Sequence, residues 1–177
     1  PKKDDIFKEG TVAKIIQILK LPNGLMKILT DGIFQGKIID FTTNESFFEA
    51  KIELIINESQ KSKELDALTR QLTSRFREYV KISRNIPPEA ISAFENIPEP
   101  DRKLFYAAAN INQSIEKKQS ILQKFDLVDQ YYEVIKILTS ENDILKIEKE
   151  IFLKALSQVQ GIIEKKHTIP ILANVHI

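Results

Sequence analysis

Few residues in this chain have the type or spacing for catalysis. His167 and His176, the two histidines, both lie near the C-terminal end and are too isolated to hold a metal without a partner's help. A His-based triad or a His-rich metal centre therefore has no material. Cysteine is absent, which removes disulfides, thiolate metal sites and a thiol nucleophile. Asp126/Asp129 and Glu148/Glu150 are spaced closely enough for acid–base work. One pair opens a helix and the other lies along one, where caps and solvated charges are the ordinary use of carboxylates. Tyr131 and Tyr132 could stack a base, but neighbours on a helix point about 100° apart, so one of them must face the core. No G-x-x-x-x-G-K-[ST] string occurs, and no glycine lies between Gly36 and Gly161 to cradle a phosphate. Lys2, Lys3, Asp4 and Asp5 read as a solvated start. No catalytic residue, metal or cofactor is expected, and the chain reads as a non-enzyme.

The composition agrees. Among 177 residues, 26 Lys and Arg face 25 Asp and Glu, a net charge of +1. That balance argues against a charge-dominated nucleic-acid binder or a polybasic membrane protein. No apolar run approaches the ~18 residues of a spanning helix, and no charged start leads into a signal core. With the missing cysteines, this fits a cytoplasmic protein with no membrane partner. The chain opens at Pro1 without Met, as a piece of something longer would.

Glycine usage divides the chain near residue 57. Gly10, Gly24, Gly32 and Gly36 punctuate the start, whereas the stretch beyond is rich in Leu, Ile, Lys, Glu and Gln. The first part reads as a meander of about four strands: Thr11–Leu19, Leu25–Thr30, Ile33–Phe41 broken at Gly36, and Phe47–Ile56. Leu21-Pro22-Asn23-Gly24 and Asp31-Gly32 supply the turns. The first strand is expected to be mostly buried, with Lys14 at its edge, and the sheet needs a cover for its apolar face. From Gln60 to Ile82 the period becomes helical, with Leu65, Leu68, Leu72, Phe76 and Tyr79 on one stripe. Helices near 88–96 and 101–109 are each entered through proline. Further helices follow at about Ser114–Leu122 and, capped by Asp126, from 127 to about 150.

The string Gly10 to Gly32 (GTVAKIIQILKLPNGLMKILTDG) resembles the later strands of the N-terminal domain of the Lon ATP-dependent protease family, where a strand, a K-L-P-[DN]-G turn and a return strand occur together. The likeness continues through Phe47–Lys51, Asn85–Glu89 and Leu138–Lys149, covering about residues 4–150. It implies a substrate-recognition and assembly domain that serves an ATPase and a Ser-Lys protease. The family's opening segment, with the first strands of the β lobe, has no counterpart ahead of Pro1, and neither do the phosphate loop and catalytic Ser and Lys. No catalytic residue is carried over.

From Ile147 the chain instead resembles the first strand, helix and second strand of the bacterial DNA polymerase III β sliding clamp family. There a [LF]-L-K-A-L helix leads to a basic pair and T-[IL]-P-I-L-[AS]-N-V, here Thr168–Val175. In that family the helix faces DNA, which the resemblance would assign to Lys154, Lys165 and Lys166. Both families could claim Ile147–Glu150, so the chain reads as two partial sequences joined there.

The expected class is α+β: a partial antiparallel β lobe over 1–57, a helical lobe over 58–150, and a clamp-like helix and strand over 151–177. The expected function is non-catalytic capture of unfolded or degron-bearing polypeptides, with homo-oligomerisation in the parent protease. The expected contact surface is the hairpin tip at Leu21, Pro22, Leu25 and Met26, whose apolar side chains have no evident core to enter. The alternative there is that strands of the family's opening segment cover them. The alternative functions are a DNA-replication clamp fragment, with DNA as partner, and an orphan fusion with no evolved activity.

Overall fold

The computed structural model describes residues 2–42, 46–56, 62–83 and 85–165, the last five by backbone alone. The segment expected to be a strand after Thr168, with Lys166, His167 and His176, lies outside the described residues.

β1 (Glu9–Lys20), β2 (Met26–Thr42) and β3 (Glu49–Ile55) form an antiparallel sheet in chain order. Two of the expected strands are one. Asp31-Gly32 makes no turn, because the β1 ladder continues past it: Lys14 pairs with Asp31, Ala13 with Gly32 and Val12 with Phe34, which leaves Ile33 as a bulge. A Cβ on Gly32 would come 3.1 Å from the Thr11 methyl, so the glycine permits the close approach here and does not reverse the chain. Gly36 likewise does not break β2, being paired with Gly10 on one side and Leu54 on the other. The expectation of a buried first strand is overturned. Ile15, Ile16, Ile18 and Leu19 are all exposed, because no layer among the described residues packs on the outer half of the β1–β2 hairpin.

The helical lobe follows the sequence closely. α1 (Lys63–Ile82) starts at Ser62, whose Oγ accepts from the Leu65 N–H at 3.0 Å. α2 (Glu89–Glu95) and α3 (Pro100–Asn110) begin at Pro88 and Pro100, and α4 (Ile115–Leu122) at Ser114. Asp126 caps α5 (Leu127–Lys165) by accepting from the Asp129 N–H at 3.0 Å. The α1 stripe Leu65, Leu68, Leu72, Phe76 and Tyr79 is buried against α5's Tyr131, Val134, Ile135 and Leu138. Phe76 and Phe94 rings lie 4.7 Å apart with Tyr106 beside them. Tyr131 is the inward member of its pair, donating to the Pro100 carbonyl at 2.9 Å, while Tyr132 reaches out to Glu64.

α5 does not end near 150. Ile147–Glu150, which the clamp likeness would make a strand, is helical, because no glycine or proline interrupts Leu127–Gln160 and helix-favouring residues fill it. Gly161 stays inside the same helix, a cost of about 1 kcal/mol relative to alanine that the long flanking helix absorbs.

The sheet meets the helices at its base through amides. The Gln35 side chain donates to the carbonyls of Leu122 and Lys124, and Gln130 donates to Gln35 Oε1 at 3.2 Å and to Lys124 O at 2.6 Å. Gln119 donates to the Glu9 carbonyl at 2.8 Å. The bonds from Gln35 and Gln130 satisfy carbonyls at and just past the α4 C-terminus that the helix itself leaves open.

Candidate functional site

The hairpin tip is a built turn. Leu21 N–H donates to the Leu25 carbonyl at 2.8 Å, Gly24 N–H to the Leu21 carbonyl at 3.0 Å, and Leu25 N–H to Asn23 Oδ1 at 3.1 Å. Gly24 has φ of 82°, a left-handed conformation that side-chain-bearing residues rarely adopt. The Asn-Gly pair thus folds back a strand of about 40 Å, at 3.3 Å per residue, and holds its end away from the helices.

Leu21, Pro22, Leu25 and Met26 come together at this tip and all are exposed, Leu25 by 63% and Met26 by 67%. Three further residues belong with them. Ile18 pairs with Ile28, and Ile15 with Thr30; antiparallel partners share a face, and Met26, Ile28 and Thr30 alternate onto that face. Ile15, Ile18 and Ile28 therefore extend the apolar tip down one side of the hairpin, each about half exposed. Reading β1 as buried hid them; the signal available was the sheet's uncovered face. Apolar side chains gathered on one exposed face in this way are uncommon on the surface of a soluble protein. Lys20 is its charged neighbour, opposite Met26.

Other places offer less. A recess of about 290 Å³ lies among Tyr79, Ile86, Ile111 and Lys118. Its polar groups already serve the fold, since Tyr79 Oη accepts from the Asn112 N–H at 3.0 Å and Lys118 donates to the Ala109 carbonyl at 2.9 Å. Between α1 and α5, Glu78 accepts from Lys146 at 2.7 Å and from Arg75 at 3.3 Å, and buried Asn142 donates to it at 3.2 Å. The Lys146 ammonium holds the Glu78 carboxyl below its usual range, burial opposing it and Arg75 adding to it. This cluster ties two helices. Among the described residues no group of His, Asp and Glu could hold a metal ion. No helix there is long and apolar enough to cross a membrane.

Of the residues assigned to DNA under the clamp likeness, Lys154 is exposed on α5, Lys165 is the last residue of that helix, and Lys166 lies outside the described residues. Glu150 lies one turn before Lys154, and with Glu148 and Lys149 ahead of it the local charge is mixed.

Residues 1–140 match the family model of the ATP-dependent protease La (LON) substrate-binding domain, and residues 144–177 that of the DNA polymerase III beta subunit, N-terminal domain. The chain is 34% identical over 160 residues to the Lon protease of Desulforamulus reducens, covering 90% of this chain and 20% of that protein. It is 36% identical over 151 residues to Lon protease 1 of Bacillus subtilis, covering 85% and 20%. The Lon protease of Escherichia coli K12 is 32% identical over 160 residues, again covering 90% and 20%. The chain thus spans about a fifth of the length of the curated relatives it matches. A 160-residue match in a 177-residue chain must reach at least residue 160, so the Lon and clamp likenesses overlap on α5. The N-terminal domain of a Mycobacterium avium complex Lon protease has the same fold, with a TM-score of 0.63 at 16% identity over 81% of this chain and 74% of that one.

Proposed function

Because the chain belongs to the substrate-binding-domain family of Lon (La) ATP-dependent proteases, we propose that it is a non-catalytic module that captures unfolded or degron-bearing polypeptides in the cytoplasm. In the assembled, oligomeric protease it would pass them to the ATPase and Ser-Lys protease domains. The observation that carries the reading is the exposed apolar hairpin end at Leu21, Pro22, Leu25 and Met26. An unfolded polypeptide differs from a folded one chiefly in presenting apolar side chains and unpaired backbone, and an exposed apolar patch on a rigid hairpin can engage both. In this proposal residues 1–57 make the contact, residues 58–150 form the body behind it, and residues 151–177 carry the clamp-like sequence.

Fluorescence anisotropy with a reduced, carboxymethylated and therefore permanently unfolded polypeptide tests this. The double substitution Leu25→Ser with Met26→Ser should weaken binding about tenfold or more, since each apolar side chain contributes roughly 1.5–3 kcal/mol when fully buried. Circular dichroism should be unchanged. Equal binding by the doubly substituted protein, or none by the parent, overturns the proposal.

The match over residues 144–177 favours a second reading, a fused fragment of a sliding clamp that contacts DNA through Lys154, Lys165 and Lys166. Salt-sensitive binding of duplex DNA, lost on replacing these lysines with alanine, would support it. The first reading expects no binding at physiological salt.

A further inference from the structure

The recess of about 290 Å³ lies in the helical lobe, where the end of α1, the loop before α2 and the α3–α4 turn meet. No residue of the hairpin lines it. Apolar Ile86, Pro87 and Ile111 share the lining with Tyr79, Lys118 and three asparagines, and there is no carboxylate among the described residues around it.

The fold uses only part of what these polar groups can donate. Tyr79 is 2% exposed, and its Oη accepts from the Asn112 N–H at 3.0 Å. A phenol also has one O–H to give, and among the described residues it meets no acceptor. A buried donor left in that state is costly, and native structures nearly always supply a partner. Lys118 gives one of its three N–H bonds to the Ala109 carbonyl at 2.9 Å. No salt bridge among the described residues reaches it. The Asn85 and Asn112 side-chain amides also bond to nothing among the described residues, whereas Asn110 is tied to the Tyr106 carbonyl at 2.8 Å.

Unspent donors on an ammonium, a phenol and two amides suit a ligand that only accepts. The charge fixes its valence. One lysine balances one negative charge, and the α3 C-terminus beside it would repel an anion were Lys118 not bonded to the Ala109 carbonyl. A doubly charged phosphate would be left half compensated. The volume is at the small end of the roughly 300–1,000 Å³ typical of ligand pockets, which restricts the ligand to a small acid or the last residue of a chain.

We propose that this recess binds a carboxylate carried on a small aliphatic group, either a free acid or the C-terminal residue of a polypeptide. Lys118 and the Tyr79 hydroxyl donate to the carboxylate, Asn85 and Asn112 flank it, and the aliphatic part lies against Ile86 and Pro87. Binding here does not depend on capture at the hairpin tip.

The test titrates the full chain with 3-methylbutanoate and with acetyl-alanyl-valine, each beside its carboxamide, and follows amide chemical shifts. The acids should bind at least about tenfold tighter than the carboxamides and move the Asn85 and Asn112 side-chain signals. Lys118→Met keeps the aliphatic stem without the ammonium and should weaken acid binding about tenfold or more. Asn85→Ala changes an exposed loop residue, so it should weaken binding several-fold with circular dichroism unchanged. Tighter binding of the dipeptide assigns the recess to chain ends, and tighter binding of 3-methylbutanoate assigns it to a free acid; either result sustains the proposal. Equal binding of acids and carboxamides overturns it, as does acid binding that survives both substitutions. Inorganic phosphate binding as tightly as the acids overturns the choice of carboxylate. Shifts absent with both acids at millimolar concentration leave the recess to water, and the proposal falls.

Discussion

The helical lobe and the hairpin draw on the same apolar residue types and end in opposite environments. Leu72, Phe76 and Leu138 are fully buried between α1, α2 and α5, while Ile18, Ile28 and Met26 on the sheet stand about half exposed or more. The difference lies in geometry. Each helix offers an apolar stripe, and α1 and α5 bury theirs on each other. A three-stranded sheet also needs a second layer, but among the described residues the helices reach this one at its base, where Gln35, Gln119 and Gln130 join them. An apolar surface becomes core when a second surface of matching shape covers it; otherwise it is available for contact.

The most direct way to break this contrast is to remove a side chain from the covered region. Phe76→Ala should destabilise by about 3–5 kcal/mol and Leu68→Ala by about 2–5 kcal/mol, read from urea midpoints, because both leave cavities in a packed interior. Shifts below a kilocalorie per mole in both would mean the lobe is loosely packed.

Asn142→Ala should come next, at about 1–3 kcal/mol, since fully buried Asn142 donates to the Arg75 carbonyl at 3.1 Å and to Glu78 at 3.2 Å. A neutral result would show that water replaces the amide.

Smaller again is the pH-dependent tie around Glu78. Its carboxyl is held below the ordinary range by Lys146, so the folded state favours the charged form. The associated stability is present above the unfolded glutamate's pKa and is lost as pH falls through the lowered folded value. Glu78→Gln should therefore cost roughly 0.2–1 kcal/mol at neutral pH, the scale of exposed pairs, and almost nothing once both states are protonated. A cost that persists in acid would point to packing in place of charge.

The smallest effect belongs to the open region. Ile28→Thr should change stability by no more than about 0.5 kcal/mol, as an exposed substitution on a strand does. A loss of several kilocalories would show that the hairpin's apolar face is covered in solution.

These contrasts separate what was legible early from what was not. The helix starts at Ser114 and Asp126, the proline entries at Pro88 and Pro100, and the α1 stripe are all local. Capping groups, proline geometry and helical period act within a few residues, so reading them needs no knowledge of what packs where. The tip at Leu21–Met26 was legible for the same reason, because proline and Asn-Gly specify a tight reversal. Asp31-Gly32 misled, since a glycine after aspartate supports a turn or a bulge equally, and the choice falls to the length of β1 that remains to be paired. The extent of α5 past Glu150 was hidden by a family likeness that pointed to a strand where local propensity favoured helix.

The sequence by itself therefore determined the α+β class, the helix starts at Ser114 and Asp126, the tip turn and the residues of the helical core, because each rests on interactions of short range along the chain. Only the tertiary structure decided that β1 is exposed, that glutamine amides join the lobes, and that Ile15, Ile18 and Ile28 extend the apolar tip. Burial is a property of two surfaces, and a strand's sequence reports one of them.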